Sequence, residues 1–295
     1  MKAAVLPNLD KRGSKELVEK LGFFLKNCGI EPYLPDSIHC PYYECLPEDR
    51  LISESDIIIT IGGDGTIIRY AKRAAECEKP IIGINAGRIG YLANIEQDEY
   101  PLLKKLATGD YTIENRMMLE VEVKDGGNLN TYYAVNDAVI TGGFISRIID
   151  IKAVVEGDEI SYRADGLVIA TPTGSTAYSM SAGGPIIDPK MDCICITPIC
   201  SFALASKPII ISPDKEIVFK AGSRKKIDIF LTVDGKRTAN IKPSTEIIIR
   251  KSKRFVKLIR INERSFYKTL SVKFFDQGGV IRERKSFGKN SPDNK

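Results

Sequence analysis

Ile61-Gly62-Gly63-Asp64-Gly65-Thr66 sets three glycines within four residues at the end of an apolar run that begins at Ile57. Glycines at a strand's end admit positive φ and let backbone N–H groups approach an anion closely, and a following helix N-terminus adds roughly half a positive charge. That is phosphate chemistry, yet a carboxylate stands in its midst. Asp64 is useful there if it meets a cation on the phosphates, such as Mg²⁺, or takes a proton from an incoming hydroxyl. Both roles belong to phosphoryl transfer. The alternative is a tight turn in which Asp64 caps the helix.

A second dense stretch, TPTGSTAYSMSAGGP from Thr171 to Pro185, carries five serine or threonine hydroxyls in the nine positions from Thr173 to Ser181, and no charge. Neutral donors and acceptors at that density suit ribose, amide and base edges, although Ser/Thr/Gly clusters are also plain loops. Other phosphate loops are excluded by spacing, since neither G-x-x-x-x-G-K-[ST] nor G-x-G-x-x-G after a strand occurs. A serine hydrolase built on Ser175 would need G-x-S-x-G and a base, and the single histidine, His39, reads as a loop residue.

These residues need elements to hold them. The first hundred residues alternate strand and helix patterns: Ala3 to Leu6, then a face of Leu17, Leu21, Phe24 and Leu25 with Ser14 as N-cap, then Ile57 to Ile61, a helix from near Thr66, and Ile81 to Ile84. Such alternation predicts a parallel, Rossmann-like sheet, whose ligands bind at the carboxyl ends of strands, where GGDGT falls. From about residue 112 short alternating strands take over, running to a basic hairpin, TEIIIRKSKRFVKLIRI, and a last helical stripe of Phe266, Leu270 and Phe274. The fold class is an α/β N-terminal domain followed by an all-β domain.

At 295 residues the chain has room for two domains. It has no apolar run long enough to cross a membrane and no signal-peptide pattern, so a cytoplasmic protein without a membrane partner is expected. Seven scattered cysteines read as reduced thiols, with Cys193 and Cys195 in strand alternation rather than on zinc. From Lys242 onward 15 Lys/Arg face 5 Asp/Glu, which a solvated hairpin and tail explain without nucleic acid.

Taken together, GGDGT, GINAGRIGYL (Gly83 to Leu92), VNDAVI (Val135 to Ile140), DGLVIATPTGSTAYSMSAGGPI (Asp165 to Ile186) and VDG (Val233 to Gly235) resemble bacterial NAD kinases in order and spacing, over roughly residues 1 to 275. The resemblance implies an α/β domain over 1–111, a β-rich NAD-binding domain over 112–262, a segment 263–284 returning to the first domain, and a flexible tail, 285–295. It implies transfer of the γ-phosphoryl of ATP, or of a polyphosphate phosphoryl, to the 2′-hydroxyl of the adenosine ribose of NAD. Mg²⁺ would travel on the donor phosphates, with no side-chain metal cage, and the assembly would be a homodimer or homotetramer. Asp64 matches the aspartate that orients and deprotonates the hydroxyl, while Gly62, Gly63, Gly65 and Thr66 would hold the donor phosphates. Arg88, in the loop after the next strand, either approaches phosphate as a charged fork or is a solvated surface residue. Asn85, Asn136, Asp137, Ser175, Thr176, Ala177, Tyr178 and Ser181 match NAD-binding positions, and Asp165 one that reaches the nicotinamide half, across a subunit interface. Asp234 reads as a turn residue or a support of the pocket. The chain departs from the family at Phe202 and Lys207, where histidine and arginine are usual, and at Lys236, where glutamine is. Competing classes are another GGDG kinase, acting on a lipid or sugar, and a non-catalytic dinucleotide-binding regulator.

Overall fold

The computed structural model describes residues 1–143, 148–203, 206–223, 227–262 and 264–275. The first part follows the alternating pattern: β1 (Lys2–Pro7), α1 (Ser14–Asn27), β2 (Glu31–Pro35), β3 (Glu44–Leu46), α2 (Glu48–Glu54), β4 (Ile57–Gly62), α3 (Asp64–Glu76), β5 (Ile81–Asn85), β6 (Ile95–Glu96) and α4 (Lys104–Thr108). Strands follow: β7 (Thr112–Asp125), β8 (Asn128–Ala134), β9 (Asp137–Gly142), β10 (Ile149–Val155), β11 (Asp158–Ala164) and β12 (Gly166–Ala170). After the short α5 (Tyr178–Ser181) come β13 (Ile194–Ile199), β14 (Ile209–Ile211), β15 (Ile217–Gly222), β16 (Ile229–Val233), β17 (Lys236–Ile241), β18 (Glu246–Arg260) and α6 (Phe266–Phe275).

β4 is buried at all six positions, as an apolar run flanked by helices demands, and pairs in parallel with β1 and β5. The parallel order β3-β2-β1-β4-β5 reverses direction between β1 and β4, which is the switch point where open α/β sheets bind ligands. A six-stranded antiparallel sheet, β14-β13-β12-β9-β16-β17, forms the second layer of the later half. Its inner face and that of β7, β10, β15 and β18 share one buried cluster including Val121, Ile140, Ile151, Leu167, Phe219 and Ile249.

Three local expectations are corrected. The stretch from Glu246 to Arg260 is a single long strand, β18, and not a hairpin. It contains no Gly, Pro, Asn or Asp, and Ser252–Arg254 are absorbed in a register shift against β7, with the Arg254 N–H donating to Ser252 Oγ at 2.9 Å. One half of β18 pairs with β15, while Leu258 pairs in parallel with Ile81 of β5, so both halves of the molecule belong to one twelve-stranded sheet. Its basic residues meet acids: Arg250 reaches Glu120, Glu122 and Glu216, and Arg260 holds Glu114 at 2.6 Å. Ser14 is the first residue of α1 and Gly13, at φ +78°, takes the cap position. Lastly, α3 begins at Asp64 itself, two residues earlier than the pattern suggested.

Phe266 of α6 packs against Tyr91 at 5.7 Å and Tyr267 Oη donates to Asp188 at 2.7 Å, while Phe274 is exposed. The expected segment beyond residue 275 and the tail lie outside the described residues. No helix among the described residues is long and apolar enough to cross a membrane.

Candidate functional site

Gly62 ends β4 where an added methyl would strike the Thr66 side chain, so glycine is what lets Thr66 fold back beneath the turn. Gly63 and Gly65 have open space where a Cβ would stand, leaving the backbone at the start of α3 approachable. The first amides of a helix lack partners within it, so this 13-residue helix offers N–H groups and the positive end of its dipole. Beside it is a cleft of about 460 Å³ whose other wall is the end of β1, with Asn8, Lys11 and, from α3, Arg69. Lys11 and Arg69 were not among the sequence candidates. The signal was the strand order, because only the pairing of β1 with β4 carries the end of β1 to the glycines.

Asp64 does not cap α3. Its carboxylate accepts three successive backbone N–H groups from the loop after β5: Tyr91 at 2.7 Å, Leu92 at 3.0 Å and Ala93 at 3.4 Å. Gly90 makes room for it, since a methyl there would overlap the carboxylate. The Lys273 ammonium of α6 lies 4.0 Å from the centre of the Tyr91 ring, and burial lowers its pKa against the pull of the nearby Asp64 charge.

The same device recurs at Asp234. This residue sits at φ +46° in the turn between β16 and β17, and its carboxylate accepts from Val135 N (2.8 Å), Asn136 N (2.7 Å) and Asp137 N (3.2 Å). The turn reading of Asp234 holds, and its carboxylate also fixes the 135–137 segment. That segment is locked from the other side by Thr171, whose N–H donates to Asn136 O at 2.9 Å and whose hydroxyl donates to Val135 O at 2.7 Å. Gly174 presses on the Asn136 backbone so closely that a methyl would overlap its carbonyl oxygen. Gly174→Ala is expected to cost about 2–4 kcal/mol and to weaken whatever Asn136 binds, read by chemical denaturation beside ligand titration.

Asp137 is 5 % exposed, and burial first, then the Asp234 charge, pushes its carboxyl up to about 7. Because the folded value lies above the unfolded one, the stabilisation belongs to the protonated form. It is complete below pH 4 and is lost as pH rises through 7. Asp137→Asn is expected to flatten stability between pH 4 and 8 relative to the parent, measured by denaturant midpoints across pH.

The remaining candidates separate into groups. Ser175 is fully buried, its hydroxyl donating to Pro172 O at 2.7 Å and accepting from Ile187 N at 3.0 Å, so it shapes the loop from within. Thr176 and Ala177 are half-buried, while Tyr178 and Ser181 are exposed. Asn85 is buried, with Nδ2 donating to Glu96 at 2.7 Å and Oδ1 without a partner among the described residues. Arg88 is exposed on the loop after β5. Asp165 stands apart from all of these, at the opposite end of β12 from Thr171, roughly 20 Å away by strand rise. Phe202, 71 % exposed, is at that same end, where its N–H donates to Arg163 O at 2.9 Å. Lys236 follows the Asp234 turn and is exposed. No group of three or more His, Cys, Asp or Glu able to hold a metal occurs among the described residues.

A glycine loop at the switch point of a parallel sheet, a carboxylate fixed within it and a Ser/Thr-rich loop packed on the Asn136 segment define a nucleotide phosphotransferase. Residues 42–111 match the ATP-NAD kinase N-terminal domain and residues 135–261 the ATP-NAD kinase C-terminal domain. An NAD kinase of Caldanaerobacter subterraneus subsp. tengcongensis is 39 % identical over 94 % of this chain and 99 % of its own. The fold is similar to that of an Archaeoglobus fulgidus NAD kinase in complex with ATP, with TM-score 0.72 and 28 % identity over 92 % of this chain and 98 % of that one. It is also similar to that of a yeast NADH kinase complexed with NADH, with TM-score 0.82 and 21 % identity over 97 % and 90 % of the two chains. The chain belongs to the NAD kinase family.

Proposed function

We propose that the chain transfers the γ-phosphoryl of ATP to the 2′-hydroxyl of the adenosine ribose of NAD, giving NADP, and that Asp64 is the residue which receives that hydroxyl. The observation that carries this is the three-amide clamp on Asp64. It fixes a carboxylate at the start of α3, in the same loop whose Gly63 and Gly65 line the cleft of Lys11 and Arg69. In a loose phosphoryl-transfer transition state little base strength is needed, so a carboxylate of fixed direction contributes mainly by orienting the acceptor. The donor phosphates take the Gly65 amide at the start of α3, with Lys11 and Arg69 as counter-charges, while the Thr66 N–H stays in the turn on Gly63 O at 2.9 Å. Asn136, Asp137, Thr176, Ala177, Tyr178 and Ser181 form the NAD side, and Ser175 and Asn85 hold the loops that present them.

Mg²⁺ would enter with the donor phosphates, where Asp10, which lines the cleft, and Asp64, at the start of α3, are the carboxylates that could hold it. When bound, the ion neutralises charge on the phosphoryl oxygens. Asp165 and the exposed Phe202 share one end of the second sheet, which supports a homo-oligomer in which Asp165 serves a neighbouring subunit's site. Seven free thiols support a reducing, cytoplasmic setting. The units 1–111 and 112–262 remain our division of the chain.

The test is a coupled assay of NAD, ATP and Mg²⁺ read by an NADP-specific dehydrogenase, repeated with NADH and with polyphosphate. NADP formation that EDTA stops is the expected result. No NADP from any pair of substrates would overturn the reading.

A further inference from the structure

A second and larger cleft, about 990 Å³, opens between the start of β7, the end of β18 and α6. Asp64, the glycine loop, Asn136 and Asp137 do not line it. On its wall Arg116 is only 3 % exposed. Its Nη2 lies 2.8 Å from Glu114 Oε1, and the other oxygen of that same carboxylate takes Arg260 Nε at 2.6 Å. One carboxylate thus serves two guanidinium groups.

Arg116 Nη1 donates to the neutral Thr173 hydroxyl at 3.3 Å, Arg260 Nη1 donates to Leu92 O at 3.0 Å, and Arg116 Nε, itself buried, has no partner among the described residues. Asp188, the other acid facing Arg116, accepts from Tyr267 Oη and from the Lys190 N–H and keeps its charge. The cleft is nonetheless lined by five cations, Lys105, Arg116, Lys190, Arg260 and Arg264, against three acids, Asp110, Glu114 and Asp188. An excess of cations around an open cleft favours an anion within it. Burial and the Arg260 charge pull the Arg116 pKa down to about 10 against the opposing pull of Glu114 and Asp188.

We propose that this cleft binds a small oxyanion, the phosphate or carboxylate group of a metabolite, between Arg116, Arg260 and the exposed Lys190. Guanidinium forks match the planar or tetrahedral oxygens of either group. The site is separate from the one proposed for substrates, but it is mechanically close to it. Phe266, Tyr267 and Thr269 of α6 roof the cleft, Phe266 and Lys273 both rest on Tyr91, and the Tyr91 N–H holds Asp64. An anion that draws α6 and β7 together acts on the loop that aims the carboxylate, which makes this an effector site.

The experiment is calorimetric titration of the full chain, saturated with NAD, by inorganic phosphate, pyrophosphate and citrate in turn. At least one is expected to bind one to one, and whether a phosphate or citrate binds better identifies the class. Arg116→Met and Lys190→Gln should weaken that binding at least tenfold. Glu114→Gln, which removes the competing carboxylate, should tighten it, an effect that adventitious binding at the donor cleft would not give. Lys190 and Glu114 keep the test decisive if Arg116→Met does not fold. Absence of saturable binding by all three probes, or binding unmoved by Lys190→Gln and Glu114→Gln, would overturn the proposal.

Discussion

Asp64→Asn is expected to lower the turnover of NADP formation by about 10²–10⁴-fold while NAD affinity changes by less than about tenfold. The change is isosteric, but the chemistry at the site inverts. Three N–H groups converge on the two carboxylate oxygens, and a carboxamide answers them with one acceptor oxygen and one NH₂ that points a donor at donors. The variant therefore loses the acceptor for the ribose hydroxyl and loosens the 90–93 loop together. Steady-state kinetics combined with direct NAD titration separates these effects, because a loop defect alone would spread over KM and kcat. Turnover within tenfold of the parent would sink the assignment of Asp64.

Asp234→Ala should be the most damaging change that touches no substrate. It removes a half-buried carboxylate that accepts three backbone N–H groups at 2.7–3.2 Å and leaves those donors without a partner. Hydrogen bonds to a charged acceptor contribute about 1.5–3 kcal/mol each, and relief of the Asp137–Asp234 repulsion offsets part of the loss, so destabilisation of about 3–5 kcal/mol is expected. Because the freed segment is 135–137, the KM for NAD should rise more than kcat falls. Asp234→Gly is the informative companion, since it suits φ +46° yet still lacks the carboxylate. If denaturant midpoints and the KM of Asp234→Ala both match the parent, the clamp has no energetic role.

How legible was this in the sequence? The parallel sheet was, because β4 and β5 are buried, isoleucine-rich runs interrupted only by Thr60, by glycines and by Asn85, and that pattern tells the same story as their glycine punctuation. So was the place of the ligand loop, which follows from strand ends. The long β18 was misread, because charged residues at Lys251, Lys253 and Arg254 look like a hairpin's tip when their partners are unseen; Asp192, which pairs with Lys251, and Glu76, which pairs with Arg254, lie 59 and 178 residues away in the chain. Side-chain direction was also hidden. Nothing in GGDGT says that Asp64 points at the amides of Tyr91 to Ala93, and nothing in TPTGST says that the Ser175 hydroxyl turns inward while Tyr178 turns out. Asp234 was half read, because turn chemistry is local but the three amides it holds are 97 to 99 positions earlier.

β18 has one further consequence. Enzymes that close over two substrates usually swing one body against another about a flexible joint, yet here a single extended strand is stitched into the sheets of both bodies, and β7 runs beside it for most of its length. Any relative rotation must wring that shared ladder like a torsion bar instead of folding at a hinge. The two extra residues of the Lys251–Phe255 irregularity are the place where such a bar is softest.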